Sequence, residues 1–529
     1  MRMTLEISII LFISCLSIFN TVFSQPTLLK DIYPGSESSI NLFQPFNKLG
    51  NKLLFAANDG IHANEFWLTD GTNTGTIRLN DNFEDLNDTY YYFRNGTVGQ
   101  GIGKTDGTEE GTILLKDGFT HVSRLTNVNG IRFFVANVDA SNLEELWKTD
   151  GTTSGTVVVK KLRPNSFFNA YTTNLIAAPN GTYLLFTANN GTGMALWKSD
   201  GTTAGTTIVK YFANTPQHRI GNFVNFNNEV YFFAYNASGF DSLWKTDGTT
   251  AGTVLVYEKI QSNMAYGCIV YNNNIYFNAQ SQIPPFNYGA ELWVSDGTNA
   301  GTRMFFDTNS GEPHGDPSGF KIVNNLLLFK TITVSNGDEL WVTNGNENGT
   351  FMLNDIYPGT SSGVISYYAP TNELNTLFFT GFDGNQRMLW ETNGTVSGTI
   401  PLYDISESDL PIATFAGYIN NRLIFGRETI ANGNELWSFN ASTLSTYDLK
   451  RNNSIKIYPN PATNNLMIKT PFTDNYQIQI TNQLGQEVLK QNQNTSSASF
   501  DISKLFKGLY FLNVTSENGE IQTIKFIKN

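Results

Sequence analysis

Cysteine is almost absent: the 529-residue chain has two, and one of them, Cys15, lies in an N-terminal apolar run. No disulfide framework can be built from that. Charge is also scarce, at 15% of residues against a usual figure of about 25%. The 34 Lys and Arg are outnumbered by 46 Asp and Glu, for a net charge of −12. Phosphate backbones need clustered cations, so nucleic acid is excluded as a partner class. The four histidines, His62, His121, His218 and His314, stand singly with no His-x-x-x-His or Glu-x-x-His pair, so no zinc site is signalled. What is plentiful is apolar and turn-forming. Hydrophobic residues make up 40% of the chain, with 39 Phe, 23 Tyr, 8 Trp and 46 Gly. That much apolar side chain can bury a large core. The Gly, Asn and Thr excess belongs to strands and turns rather than long helices.

The single long apolar run is Ile7 to Phe19, preceded by Arg2 and followed by the short residues Val22 and Ser24. It reads as a secretory signal peptide over 1–24, cleaved after Ser24. It is shorter than the ~20 residues a membrane span needs, and no later stretch qualifies, so the mature chain is expected to have no transmembrane segment. Cleavage leaves Cys268 as a lone thiol, read as a small buried hydrophobe.

All eight tryptophans occur in one recurring context: Trp67, Trp147, Trp197, Trp244, Trp293, Trp341, Trp390 and Trp437, usually after Glu-Leu and before a Thr/Ser-Asp-Gly-Thr turn. From Trp147 the spacings are 50, 47, 49, 48, 49 and 47 residues, and a trimmed copy has Gly103 where Trp belongs. Within one copy, apolar alternation predicts strands at 222–226, 230–235, 242–246 and 253–257. Asn227 and Asn228 supply a tight turn because Asn tolerates positive φ. Four antiparallel strands every 40–50 residues predict an all-β fold, a β-propeller of eight or nine four-stranded blades over 25–449. The opening segment Asp31-Ile32-Tyr33-Pro34-Gly35 repeats as Asp355-Ile356-Tyr357-Pro358-Gly359 after a blade's fourth strand. The N-terminal strand is thus a candidate to complete the last blade and close the ring, with 445–449 as the competing closer. The Glu-Leu-Trp-x-x-Asp-Gly-Thr signature resembles the ELWxxDGT-repeat family of exported bacterial proteins, a resemblance over about Thr27 to Leu449 that implies no particular reaction.

After a polar linker at 450–454 the texture changes. Residues 455–529 carry alternating short strands and a net charge of +2, leaving −14 for the rest, and predict a small immunoglobulin-like β-sandwich. Tyr458-Pro459-Asn460-Pro461, Leu484-Gly485, Gly508-Leu509-Tyr510 and the basic end from Lys525 to Lys528 resemble the type A C-terminal sorting domain of the bacterial type IX secretion system. That resemblance implies a Bacteroidota-type source and handling of this tail by the type IX machinery. It also implies passage across the outer membrane to the cell surface or the medium.

No catalytic constellation stands out. Asp70, Asp106, Asp150, Asp200, Asp247 and Asp296 open the Asp-Gly-Thr turns. Of these, Asp70, Asp150, Asp200, Asp247 and Asp296 are weak calcium candidates, since Asn344 and Asn393 replace the carboxylate in two copies and a turn-closing role explains both residue types. The tryptophans are expected between blades. Glu65, Glu145, Glu291, Glu339 and Glu435 share the Trp face and are expected to bond a neighbouring blade or line a channel. Gly359 to Gly363 matches the G-x-S-x-G nucleophile pattern by coincidence, since no strand-to-helix elbow surrounds it. Two irregular loops, 280–288 and 311–317 with His314 and Asp316, depart from the repeat and are where a rigid scaffold would carry function. The expectation is a non-enzymatic binding or adhesion propeller for an extracellular glycan or protein, with no cofactor beyond possible calcium. The alternative is an exported polysaccharide- or protein-degrading enzyme working at a channel mouth.

Overall fold

The structure is a computed structural model that describes residues 26–40, 46–61, 64–79, 90–96, 99–106, 110–138, 144–162, 172–213, 220–235, 241–262, 266–282, 288–367, 375–404, 415–440, 456–469, 476–482, 486–495, 497–516 and 521–529. The signal-peptide segment, 445–449, the linker 450–454, His62, His218 and Gly485 lie outside the described residues. The chain divides into two compact units, Met1–Phe439 and Asn440–Asn529.

The first unit is all-β, built from consecutive antiparallel sheets that each use about 40 residues of chain. Four-stranded sheets span 47–78, 121–161, 173–213, 318–354 and 364–404, and a three-stranded one spans 90–119. The strands of 220–261 and 268–306 merge into one eight-stranded sheet. The repeat sets this plan through side chains. At seven tryptophans the Trp lies directly across from a Phe of the preceding strand: Phe55 and Trp67, Phe134 and Trp147, Phe186 and Trp197, Phe232 and Trp244, Phe277 and Trp293, Phe329 and Trp341, Phe379 and Trp390. A register shift between the Leu and the Trp recurs from Leu146 to Trp390, the extra twist that a bulge introduces.

Several apolar clusters join groups of strands that follow one another in the chain. Leu146 and Phe133 pack with Phe186 and Trp197, Leu243 and Phe233 with Phe277 and Trp293, and Leu340 and Val342 with Phe379 and Trp390. Trp67, Trp147, Trp197, Trp293 and Trp390 are buried, while Trp244, Trp341 and Trp437 are half-buried. A lysine from the preceding sheet's outer strand lies over four of the rings, Lys30 on Trp67, Lys116 on Trp147, Lys160 on Trp197 and Lys210 on Trp244, at 5.3–5.9 Å. Such cation–π contacts add roughly 0.5–1 kcal/mol each where exposed.

The Asn-rich turns adopt the geometry read from sequence: φ is +49° at Asn227 and +62° at Asn228. Observed strands run Ile220–Phe226, Glu229–Tyr235, Asp241–Thr246 and Val254–Gln261. The last outruns expectation by four residues because its end pairs with the next sheet, Gln261 opposite Gln280.

The strand Thr27–Lys30 pairs with Gly433–Asn440, Leu28 opposite Trp437, and completes the sheet of 415–440 as its fourth strand. That sheet also meets its neighbours on both sides. Ile419, Ile424 and Leu436 share a core with Leu53, Phe55 and Trp67, and the Arg427 guanidinium lies 5.6 Å over Tyr403 of the sheet 364–404. Sequential stacking with first and last strands in one sheet makes the unit propeller-like.

The second unit has two antiparallel sheets. One contains Lys456–Tyr458, Asn465–Lys469 and Ser497–Asp501; the other contains Tyr476–Asn482, Glu487–Gln493, Gly508–Ser516 and Ile521–Lys528. Alternation places Leu466, Ile468 and Phe500 from the first and Ile478, Ile480, Leu512, Val514 and Phe526 from the second in one shared core. Among the described residues no helix is long and apolar enough to cross a membrane.

Candidate functional site

The Asp-Gly-Thr turns close on themselves. At Asp70, Asp150, Asp200, Asp247 and Asp296, Oδ1 accepts the backbone N–H of the Thr two residues on at 2.8–2.9 Å and its hydroxyl at 2.7 Å. Asn393 makes the same pair of contacts with Thr395. Hydrogen bonding from Thr holds the Asp150, Asp200, Asp247 and Asp296 carboxyls below the usual range. Each turn has one carboxylate with one oxygen engaged. Calcium takes 6–8 oxygens including several charged ones, so these residues do not fit that ion. Beneath each turn two hydroxyls meet at 2.7–2.8 Å, from Thr69 with Thr76 through to Thr392 with Thr399, which accounts for the paired Thr/Ser of the repeat. Among the described residues no cluster of three or more His, Cys, Asp or Glu could hold a metal ion. The Cys268 thiol donates to the Asn222 carbonyl, and burial pushes it up to about 12.

The glutamates before Leu-Trp act as latches. Glu291, Glu339 and Glu435 are fully buried. Each accepts hydrogen bonds from the loop that follows the fourth strand of its sheet. Glu435 takes the Ile32 and Tyr33 N–H groups and, at 2.6 Å, the Ser39 hydroxyl. Glu291 takes Thr308 N–H, the Thr308 hydroxyl and Gly315 N–H. Glu339 takes Tyr357 N–H at 3.2 Å, but its Oε2 has no hydrogen-bond partner. Burial pushes Glu339 and Glu435 up to about 7, aided by Asp355 and Asp31 respectively, and raises Glu291. Glu145 differs, accepting Trp147 Nε1–H and pairing with Lys161 at 3.1 Å. Glu65 is half-buried. These carboxylates therefore bind loop backbone, an alternative the sequence reading did not contain. In the G-x-S-x-G look-alike, Ser362 Oγ accepts Asp338 N–H, a structural contact within the latched loop.

The irregular loop 311–317 lies against the strand Asn274–Ser281, beside the join of two four-strand groups. Where 220–261 merges with 268–306, a cavity of about 380 Å³ opens, walled by Asp241 and Gln261 on one side, Asn278 and Gln280 on the other, and His314 and Asp316 from the irregular loop 311–317. Ser262 and Ala290 complete the wall. Asn278 directly follows Phe277, the Trp partner; at that position the other copies carry Ala56, Val135, Thr187, Phe233, Lys330 and Thr380, none of them an amide. It is 1% exposed. Its Nδ2 donates to Asp316 Oδ1 at 3.4 Å, and its Oδ1 has no partner. Ser262 Oγ donates to the Asn278 carbonyl at 3.0 Å. His314 Nδ1 accepts Ala290 N–H at 3.1 Å, which leaves Nε2–H as a donor on the neutral ring. Gly315 and Asp316 N–H both bond the Ala290 carbonyl, and Asp316 sits at φ +48°. Gln280 Nε2 donates to the carbonyl of Tyr288, an exposed residue. Behind the wall, Lys330 is paired with Asp338. Burial raises Asp338, with Asp316 nearby adding to the effect. Sequence reasoning flagged His314 and Asp316 but missed Asp241, Gln261, Ser262 and Asn278. The visible signal was an amide interrupting an apolar second strand.

The tail's motif pieces converge. Asn460 Oδ1 accepts Ile527 N–H at 2.9 Å, Ala462 N–H bonds the Ile527 carbonyl, and Asn529 N–H bonds the Ala462 carbonyl. Gly508 pairs with Lys528 and Tyr510 with Phe526, the last two rings stacked at 5.6 Å. Lys525 is exposed, Lys528 buried and Tyr458 44% exposed. Pro459 and Pro461 frame Asn460, and both of their peptide bonds are cis. One end of the tail thus gathers residues 458–462 and 525–529.

Residues 456–529 match the family of secretion system C-terminal sorting domains. The protein is therefore exported, to the cell surface or beyond it. Among curated relatives, ulvan lyase NLR42 of Nonlabens ulvanivorans is 32% identical over 94 residues, 18% of this chain and 17% of the lyase. The chain thus spans less than a fifth of that relative. Two solved structures of low likeness are PorZ and a protease propeller. PorZ, a surface component of the type-IX secretion system of Porphyromonas gingivalis, has 12% identity and a TM-score of 0.32, covering 92% of this chain and 75% of PorZ. The β-propeller domain of the Trilobed protease from Pyrococcus furiosus has 10% identity and a TM-score of 0.35, covering 70% of this chain and all of that one.

Proposed function

We propose that the protein is an exported binding or adhesion propeller, carried across the outer membrane by the type IX machinery through residues 455–529. In this reading it is an ELWxxDGT-repeat ring of nine blades, with the three-stranded group 90–119 as its irregular member and 27–30 as its closing strand. The tail is an immunoglobulin-like sandwich. The observation that carries binding is the polar cavity, lined from two neighbouring four-strand groups and the irregular loop 311–317. Its lining is mostly amide, hydroxyl and backbone, the groups that fix a ligand's orientation. Fold likeness by itself supports no activity.

The test is a retention and turnover screen of the secreted protein on immobilised extracellular polysaccharides and glycoproteins. Retention without release of soluble fragments is expected. Depolymerisation that disappears in Asp241→Asn or Asp316→Asn would establish the enzyme alternative instead. For delivery, deletion of 456–529 is expected to leave the protein in the periplasm, read by fractionation, and unchanged surface delivery would refute the role given to the tail.

A further inference from the structure

We infer that the cavity takes a neutral, hydroxyl-rich saccharide unit and rejects anionic polysaccharide. This rests on the binding reading above and narrows it to one ligand class.

Charge makes the first cut. The lining contains two carboxylates, Asp241 and Asp316, and neither Lys nor Arg. Behind it, Lys330 is committed to Asp338. Glu291 and Asp307 add negative potential from the latched loop, since Glu291 holds Thr308 and Gly315 on either side of His314. A sulfate or uronate entering here would lose hydration beside two carboxylates, in a lining without Lys or Arg.

Hydrogen-bond complementarity makes the second. Asn278 is 1% exposed and presents an oxygen that nothing in the protein satisfies. A buried acceptor in that state gains most from a ligand donor. His314 Nε2–H and the Gln280 amide offer donors close by. A wall with acceptors and donors side by side matches a group that is both at once, which is the nature of a sugar hydroxyl. At about 380 Å³, the cavity is at the small end of the roughly 300–1,000 Å³ typical of small-molecule sites. It suits a short saccharide unit, not the body of a chain.

The experiment is titration of the full-length secreted protein with three sets of oligosaccharides: neutral glucans, mannans and galactans; chitosan fragments; and ulvan and alginate fragments. Neutral fragments are expected to bind with little dependence on salt. Asn278→Leu should weaken that binding about tenfold, the size of one buried hydrogen bond. His314→Ala should weaken it several-fold with at most a small fall in melting temperature, since only the Ala290 N–H loses its acceptor. Neutral binding that neither variant moves would overturn the assignment to this cavity. Preferential binding of ulvan or alginate fragments, or of chitosan fragments alone, would overturn the ligand class while leaving the binding reading intact. If no glycan or protein in either screen is retained, the broader reading fails and this inference fails with it.

Discussion

The loops 31–40 and 307–316 are built on one plan and serve different ends. Both start from an Asp, are gripped by a fully buried Glu, and return to that Glu eight residues later, at Ser39 and at Gly315. In the first loop the next residue is Ile40, 4% exposed in the core that joins the first and last sheets. In the second it is Asp316, which faces the cavity. The third copy, 355–364, has Val364 there, again in the core. One apolar-to-acidic exchange separates a loop that seals an interface from a loop that opens a pocket. The hydroxyl also moves. Ser39 supplies it to Glu435 and Thr308 supplies it to Glu291, while at Glu339 those two positions are Gly363 and Ile356 and Oε2 stays unpartnered. The latch is thus the fixed part of the plan, and the residues around it are free to change.

The largest effect should follow from breaking the latch that closes the ring. Glu435→Ala leaves two backbone N–H groups and a hydroxyl buried without an acceptor, at about 1–3 kcal/mol each. A loss on the order of 3 kcal/mol or more is expected in urea denaturation. Glu291→Ala should cost a similar amount and also abolish ligand retention, because it frees the loop that bears His314 and Asp316. Equal stability loss with unchanged retention would separate latch from pocket.

A smaller effect concerns pH. Glu339 and Glu435 are raised to about 7 in the folded protein from an ordinary value near 4.3. The folded state therefore holds protons that the unfolded state has released, so stability is greatest below that ordinary value and declines as pH rises toward 7. Melting temperatures from pH 5 to 7.5 should fall, and Glu339→Gln should flatten part of that slope. Ser39→Ala, which makes Glu435 resemble Glu339, should cost about 1 kcal/mol. The smallest effect is expected for Asp247→Asn. The chain already uses Asn393 in the same turn with the same contacts, and an exposed turn substitution stays within about 0.5 kcal/mol.

The β architecture was legible because it is periodic. A Trp every 47–50 residues, Asn pairs at tight turns and a repeated Asp-Ile-Tyr-Pro-Gly segment each have a local physical meaning. The sorting tail was legible because its motif pieces are local, although their meeting through Asn460 and Ile527 was not. The pocket was half legible. His314 and Asp316 lie in a loop that looks irregular by itself, but Asp241, Gln261 and Asn278 belong to three different strands. Only the pairing of Gln261 with Gln280 brings them together. The latches were misread for a related reason. A Glu beside a Trp shows its face, but not that its oxygens reach a loop 17–24 residues ahead, or 403 residues back for Glu435.

That last separation bears on how the molecule is made. The strand Thr27–Lys30 can reach its place only once Gly433–Asn440 exists to receive it. Contacts so far apart in the chain are slow to form, and until then the first sheet core lacks one of its walls and the last sheet has an open edge. An unpaired edge invites association with other chains. The first of the described strands is therefore among the last to be seated, and any interruption of synthesis or export before residue 440 leaves it without the strand it pairs with.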